Sequence, residues 1–455
     1  MYTLVLMKVL NRKEPWLLLG GDILVFVFSL WLTLIIRFRT IPTSSFFIEH
    51  LLPFGILFIV WCIIFFIAGL YEKHTIVFKS RLPLRVINTQ IFNSFLAVVF
   101  FYFVPYFGIT PKIILFIYII ISLTLIFIWR IYGLNILSLK IREPAMILGR
   151  GGEMDSLIHE VNSNPRYGLE FISVFDLDNL SEVDLEKNIV QIINTKKIMM
   201  VVIDLQNENL KKNFSCFYNL LFSEVSFIDI NSLYEGIFDR VPLSLVGYDW
   251  FLENVSLSLG VTYDVFKRFT DMLISFILGL ISLIFYPFIY LGIKLEDQGP
   301  IFIMQERIGK NNKLIKIKKF RTMSFNDNEQ GENKALNKIT KVGSFLRKSR
   351  LDEVPQLWNV WKGDLSLIGP RPELPALAKV YEKEVPYYNV RHLITPGLSG
   401  WAQLYHENHP HQGVNTEETK NKLSYDLYYI KNRSLGLDFK IALKTLKTLL
   451  SRTGK

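Results

Sequence analysis

Cysteine is almost absent from this chain. Its 455 residues hold two, Cys62 and Cys216, too few and too far apart for a disulfide framework or a metal cluster. Charge is sparse as well: Asp, Glu, Lys and Arg make up 20% of the residues, while 50% are apolar and 36 are Phe. That balance excludes a disordered chain and a disulfide-stapled secreted domain. An ordinary soluble globule carries more charge and less Phe. What stands in place of charge is a set of long apolar runs, so the hydrophobic excess belongs to membrane segments. The length leaves room for about three domains at ~150 residues each.

Four runs near the start approach the ~20 apolar residues needed to cross a hydrocarbon core. They cover about residues 15–36, 46–70, 91–107 and 113–129. The first is too long for a cleaved signal peptide and is followed by three more. Lys8, Arg12 and Lys13 precede the first run; Lys73, Lys79, Arg81 and Arg85 separate the second from the third; Arg130, Lys140 and Arg142 follow the fourth. The positive-inside rule therefore puts the N-terminus and residue 142 on the cytoplasmic side. Asp22 is the one acid inside the first run. An ionisable group there is a functional candidate by default, but its place near the cytoplasmic end favours a cap or an ion pair with Arg12 or Lys13.

Beyond residue 142 the pattern changes to short strands alternating with helical lengths. Strand-like runs at 144–149, 169–175, 198–205 and 225–230, with a helix such as 207–222 between the last two, point to a small parallel sheet. The turn Gly149-Arg150-Gly151-Gly152 has two glycines of a dinucleotide fingerprint, but Met154 stands where the third belongs. Asp176 is the candidate ribose acid. A degenerate, structural or regulatory module is favoured over a nucleotide site.

A fifth apolar stretch, residues 269–293, is interrupted by Pro287, which removes a helical hydrogen bond and bends the chain. The block that follows, residues 301–350, holds 13 Lys and Arg against 4 acids, +9 of the protein's net +10. A full crossing would put this basic block outside. A re-entrant helical hairpin keeps it inside, with a tilted span as the alternative. The cations flank turns: Arg307, Lys319, Arg321, Arg347 and Arg371. Rigidly held cations suit a bidentate grip on phosphate oxygens more than a fluid lipid surface, and no recognition-helix pattern supports nucleic acid. Among them lies the acid pair Asp352-Glu353. Such a pair can hold Mg²⁺ together with substrate phosphates, or one member can attack phosphorus. The plain alternative is a pair of acids complementing a helix N-terminus.

The run Arg350-Leu351-Asp352-Glu353-Val354-Pro355-Gln356-Leu357 and its continuation Gly369-Pro370-Arg371-Pro372-Glu373 closely resemble the bacterial sugar transferase family. Gln305-Glu306-Arg307-Ile308-Gly309, the Lys319-to-Met323 turn, Thr395-Pro396-Gly397 and the closing Tyr425-Asp426 and Asp438 match it in order, over about 190 residues from Lys267. The resemblance implies a large-form polyprenyl-phosphate hexose-1-phosphate transferase with three domains. These are a four-helix transmembrane domain (1–142), a degenerate Rossmann-like α/β domain (143–262), and a mainly helical membrane-associated catalytic domain (263–455).

It further implies a nucleotide-diphosphate sugar as donor and undecaprenyl phosphate as acceptor, in the bacterial inner membrane with the catalytic domain cytoplasmic. Asp352 would be the nucleophile and Glu353 a Mg²⁺ ligand, with Asp352 also near the metal. Arg347 and Arg371 would bind phosphate, and Lys319 and Arg321 are further candidates. The family usually has a serine before the bend proline; here Tyr286 precedes Pro287. A catalytically dead scaffold of a polysaccharide assembly complex is the alternative. The sugar and the oligomeric state, a homo-oligomer included, are left open.

Overall fold

The computed structural model describes residues 14–71, 76–104, 112–133, 142–164, 167–175, 189, 191–207, 225–255, 261–296, 298–324, 338–405 and 414–450. Two compact units divide the chain, residues 1–238 and 239–455.

The first unit opens with four helices, α1 (Glu14–Phe38), α2 (Ser44–Ile67), α3 (Ile76–Phe103) and α4 (Lys112–Ile128), each long and apolar enough to cross a membrane. The third begins about fifteen residues before the expected run, so Lys79, Arg81 and Arg85 stand on helix rather than in a loop. There Arg85 donates to the Ala68 carbonyl at 3.2 Å, at the C-terminal end of α2, where a cation complements the helix dipole. Large side chains such as Trp16, Phe95 and Phe116 face outward, while Phe26, Phe54, Phe58, Trp61 and Tyr118 pack as an aromatic centre.

After α4 comes a π-helical turn, Trp129–Gly133. It lays the Trp129 ring against Gly21 of α1, where an added Cβ would stand 2.0 Å from the ring. The same turn delivers Arg130 to Asp22, both fully buried. Asp22 thus pairs with a residue 108 positions on in the chain; Arg12 and Lys13, expected from sequence as its partners, lie outside the described residues. Tyr71 donates to the same Asp22 oxygen at 2.7 Å, and Arg130 donates to the Leu70 carbonyl at 2.8 Å.

Four parallel strands follow: β1 (Glu143–Leu148), β2 (Leu169–Phe175), β3 (Met200–Ile203) and β4 (Ser226–Asp229), in spatial order β2-β1-β3-β4. Strands β1 and β3 are almost wholly buried, as central parallel strands must be. The glycine turn leads into α5 (Gly152–Ser163), and the Met154 side chain packs against Gly149. The expected helix at 207–222 and the candidate acid Asp176 lie outside the described residues. Helix α6 (Ile230–Phe238) closes this unit.

The second unit starts ahead of the boundary expected from sequence. Val241, Val246 and Trp250, around α7 (Tyr248–Asn254), share a core with Ile368, Tyr381, Tyr388, Trp401 and Leu427. Their burial partners all lie between residues 308 and 441, which draws the segment into this unit. Next comes a bent helix pair, α8 (Val261–Ser282) and α9 (Tyr286–Glu296), turned by 58°. The break lies at residues 283–285, and Pro287 sits in the first turn of α9, where its missing N–H costs nothing. At the break, Ser282 donates to the Gly279 carbonyl at 2.6 Å, so a serine does serve freed backbone, several residues before the proline.

Strands β5 (Phe302–Ile308) and β6 (Leu314–Phe320) form an antiparallel hairpin. Helix α10 (Lys341–Lys348), a 3₁₀ turn (Leu351–Gln356) and α11 (Leu357–Lys362) follow it. After β7 (Ser366–Ile368) come α12 (Pro375–Glu384), a second 3₁₀ turn (Tyr388–Leu393), β8 (Gly397–Ser399), parallel to β7, and α13 (Trp401–Tyr405). The unit ends with α14 (Thr416–Lys431) and α15 (Leu435–Leu450).

Both arms of the bent pair are tied to this one unit. On α8, Arg268 donates to the Val360 and Trp361 carbonyls at 2.7 and 2.6 Å. Lys267 and Tyr263 both reach Asp438, at 3.0 and 2.8 Å, and Asp271 accepts from Ser366 at 2.7 Å. On α9, the Glu296 carboxylate accepts from the Lys341 and Val342 backbone N–H groups, capping α10. Between these ties the pair exposes Phe269, Phe276, Ile284, Phe288 and Leu291.

Candidate active site

Helix α10 is started by the Thr340 hydroxyl, which accepts from the Gly343 N–H at 2.9 Å. Gly343 lies directly on the Thr322 backbone, and a Cβ there would meet the Thr322 carbonyl oxygen at 2.0 Å. This approach lets the exposed Arg347 donate from Nε to the Thr322 hydroxyl at 2.9 Å. The chain then turns through Arg350, held at φ 57°. A non-glycine residue in that region stores strain of a kind found at functional sites. The turn delivers Asp352 and Glu353 to the head of the 3₁₀ segment.

The second wall is the β5–β6 hairpin. Asn359 on α11, 5% exposed, donates to the Lys316 carbonyl at 2.8 Å and accepts from the Lys318 N–H at 3.3 Å. That side chain fixes β6 against the acid pair, and Lys319 meets Glu353 Oε1 at 3.1 Å. The third wall is Pro370 to Glu373. Its two prolines supply no N–H, and all four of its carbonyls are gripped from elsewhere. Pro370 accepts from the Gly397 N–H (2.9 Å), Arg371 from Arg391 (3.1 Å), Pro372 from Arg307 (3.4 Å) and Glu373 from the Ile308 N–H (3.0 Å). From this rigid segment Arg371 reaches the same Glu353 oxygen at 2.7 Å.

The two adjacent carboxylates therefore stand in different surroundings. Burial alone would push the Glu353 carboxyl up, but Arg371 and Lys319 outweigh it and hold it at about 2. Asp352 makes no hydrogen bond to the described residues. Burial and the neighbouring Glu353 charge raise its carboxyl above the ordinary range, against the pull of Lys319, Arg350 and Arg347. Burial lowers the Lys319 ammonium despite its pairing, and the Glu353 charge raises the Arg371 guanidinium.

Of the residues singled out from sequence, Asp352, Glu353, Lys319 and Arg371 come together, with Arg347 close enough to act on Asp352. Arg321 does not join them as an open cation. It is 6% exposed, and its backbone N–H is bonded to the Ile301 carbonyl at 2.8 Å. Asn359 and Arg391 were missed. Asn359 sits inside the matched run, and its burial among charged neighbours is legible only once α11 meets β6. Among the described residues no group of three or more His, Cys, Asp or Glu could hold a metal by itself.

A family model described as bacterial sugar transferase matches residues 262–452. An exopolysaccharide production protein of Rhizobium leguminosarum bv. phaseoli is 36% identical over 195 residues, covering 41% of this chain and 96% of that protein. The chain belongs to the bacterial sugar transferase family. Larger relatives match over part of their length. The UDP-N-acetylgalactosamine-undecaprenyl-phosphate N-acetylgalactosaminephosphotransferase of Aeromonas hydrophila is 37% identical over 261 residues, 56% of this chain and 59% of that protein. The UDP-glucose:undecaprenyl-phosphate glucose-1-phosphate transferase of Escherichia coli K12 is 34% identical over 183 residues, 40% and 39% of the two chains. The match thus spans less than two thirds of these two larger relatives. As a family member with four helices fit to cross a bilayer, this is a membrane protein.

Proposed function

We propose that this family member transfers a sugar 1-phosphate from a UDP-hexose to undecaprenyl phosphate, releasing UMP, as the first membrane step in building a polysaccharide repeat unit. The unequal treatment of two adjacent carboxylates carries the reading. Glu353 is neutralised by Lys319 and Arg371, whereas the Asp352 carboxylate bonds none of the described residues and is raised. Neighbouring titratable groups pushed apart take different tasks. Asp352 is the nucleophile. One of its oxygens attacks the sugar-bearing phosphorus, the bond from that phosphorus to the bridging oxygen breaks, and UMP leaves with that oxygen. An oxygen of the lipid phosphate then attacks the same phosphorus, freeing the carboxylate and giving the lipid diphosphate sugar. Arg371 and Arg347 meet the negative charge that gathers on the migrating group.

Mg²⁺ fits the pair only in company with substrate. Lys319 and Arg371 both bond Oε1 of Glu353, which leaves Oε2 and the Asp352 carboxylate as donors. Mg²⁺ takes one or two carboxylates plus substrate phosphates. Held there, it would neutralise the donor diphosphate.

The attachments of α8 and α9 to a single unit support a re-entrant hairpin: a full crossing would carry the Asp438 and Glu296 ties to opposite faces. In this reading the site lies at head-group level on the cytoplasmic side. The test is donor alone, from a panel of UDP-sugars, added to purified protein. It should release one equivalent of UMP and leave sugar phosphate on the protein. Failure of every donor to release UMP, even with undecaprenyl phosphate present, would overturn the reading in favour of a catalytically dead scaffold.

A further inference from the structure

We infer that Arg391 is a positioning residue for phosphoryl transfer, holding the Arg371 backbone so that the Arg371 guanidinium stays on Glu353; this rests on the transferase reading above. Arg391 lies on the 3₁₀ turn Tyr388–Leu393, whose entry residue Tyr387 sits at φ 61°. Its side chain is 4% exposed. Nη2 pairs with Asp426 of α14 at 2.8 Å and donates to the Arg371 carbonyl at 3.1 Å. Nη1 donates to the Tyr388 hydroxyl at 3.0 Å and lies 3.9 Å from Glu373.

No oxygen of the Asp352–Glu353 pair touches Arg391, so it does not act on substrate directly. What it controls is one carbonyl of a segment without proline N–H groups, and that carbonyl belongs to the residue that grips Glu353. A buried guanidinium that binds a carboxylate and a carbonyl together needs the planar fork that Lys lacks. Asp426, 1% exposed, supplies the charge that lets Arg391 remain buried.

The test is a double-mutant cycle in the full-length protein, read in UMP release and, in parallel, in binding of inorganic pyrophosphate. Arg391→Lys keeps a charge opposite Asp426 but loses the second contact. It should lower kcat about tenfold with the donor KM changed by no more than about twofold, a loss of positioning. Arg371→Lys should lose a similar factor, and the double variant should be little worse than either, because both act through one group. Pyrophosphate binding should follow the same non-additive pattern. Tyr388→Phe removes one support and leaves the Asp426 pair intact. It should show a smaller, equally non-additive loss, and it carries the test if Arg391→Lys does not fold.

Losses that multiply in the double variant would overturn the inference, since Arg391 would then act without Arg371. A wild type that binds no pyrophosphate also overturns it. Coupled pyrophosphate losses in a wild type that releases no UMP would keep the positioning role and sink the transfer reading instead.

Discussion

Asp22 in the membrane bundle and Glu353 in the transferase unit each meet an arginine, and the surroundings differ in one respect. Around Asp22, Arg130 and Tyr71 converge on a single acid, with both members of the ion pair wholly buried and, among the described residues, no carboxylate next to it in the chain. Around Glu353, Lys319 and Arg371 converge in the same way, but the Asp352 carboxylate next to it bonds none of the described residues. The first arrangement fixes which helices meet, a use well attested for buried charge. The second holds one carboxylate down and keeps the other available. Pairing builds structure, and an unpaired neighbour supplies chemistry.

The sharpest way to break that contrast is Asp352→Asn, which keeps size and polarity but is a far poorer nucleophile. Donor-alone UMP release and protein labelling should fall by at least about 10³-fold, as removal of a nucleophile does elsewhere. Substantial residual transfer would make Asp352 as structural as Asp22. Next is Arg130→Met, which strands a buried carboxylate. Destabilisation of about 3–5 kcal/mol is expected, read by thermal unfolding in detergent. If Asp22→Leu in the same chain does not restore much of it, the pair is not the cause. A smaller effect follows from Arg371→Lys, which keeps charge and loses the fork: about a tenfold loss in kcat with the fold intact.

The smallest effects sharpen the electrostatics. In the proposed reaction Asp352 attacks as the carboxylate, and its carboxyl lies above the ordinary range, so activity should fall on the acid side earlier than a free aspartate would give. Arg347→Gln removes a cation that pulls Asp352 down, so the acid limb of the pH profile should move to higher pH; an unmoved limb would detach Arg347 from Asp352. For stability the two acids have opposite signs. Glu353, held at about 2, contributes above the ordinary glutamate range and loses that contribution as pH falls toward 2. Asp352, being raised, makes folding less favourable as pH rises through its folded value. In the bundle, Tyr71→Phe removes one hydrogen bond to Asp22 and should cost about 1 kcal/mol.

Much of the membrane half was legible from hydropathy, because span length is set by bilayer thickness and needs no tertiary information. The third helix escaped in part: residues 76–90 carry charge and Pro83, so a hydropathy reading starts it late although the backbone stays helical. The strands were placed to within one or two residues, since buried parallel strands are short apolar runs between turns. Asp22 was recognised as unusual, but its pairing with Arg130 was not foreseen. Its true partner is 108 residues away, and no local pattern encodes that distance. In the site, runs of residues carried Asp352, Glu353 and Arg371. Arg321 stood behind Arg347 as a candidate from sequence, and its burial shows only in the folded chain.

By itself the sequence determined the number and approximate position of the membrane helices, the α/β module with its incomplete glycine turn, and the acid pair within a basic block. These follow from periodicity, apolar run length and local chemistry, which are properties of neighbouring residues. Only the tertiary structure decided which of the two acids is neutralised. That depends on β6 being pinned by Asn359 so that Lys319 arrives at Glu353, and on the Pro370–Glu373 segment being held by four separate donors so that Arg371 arrives there too. A carboxylate's role is set by the cations within a few ångströms of it, and those come here from parts of the chain that sequence order keeps apart.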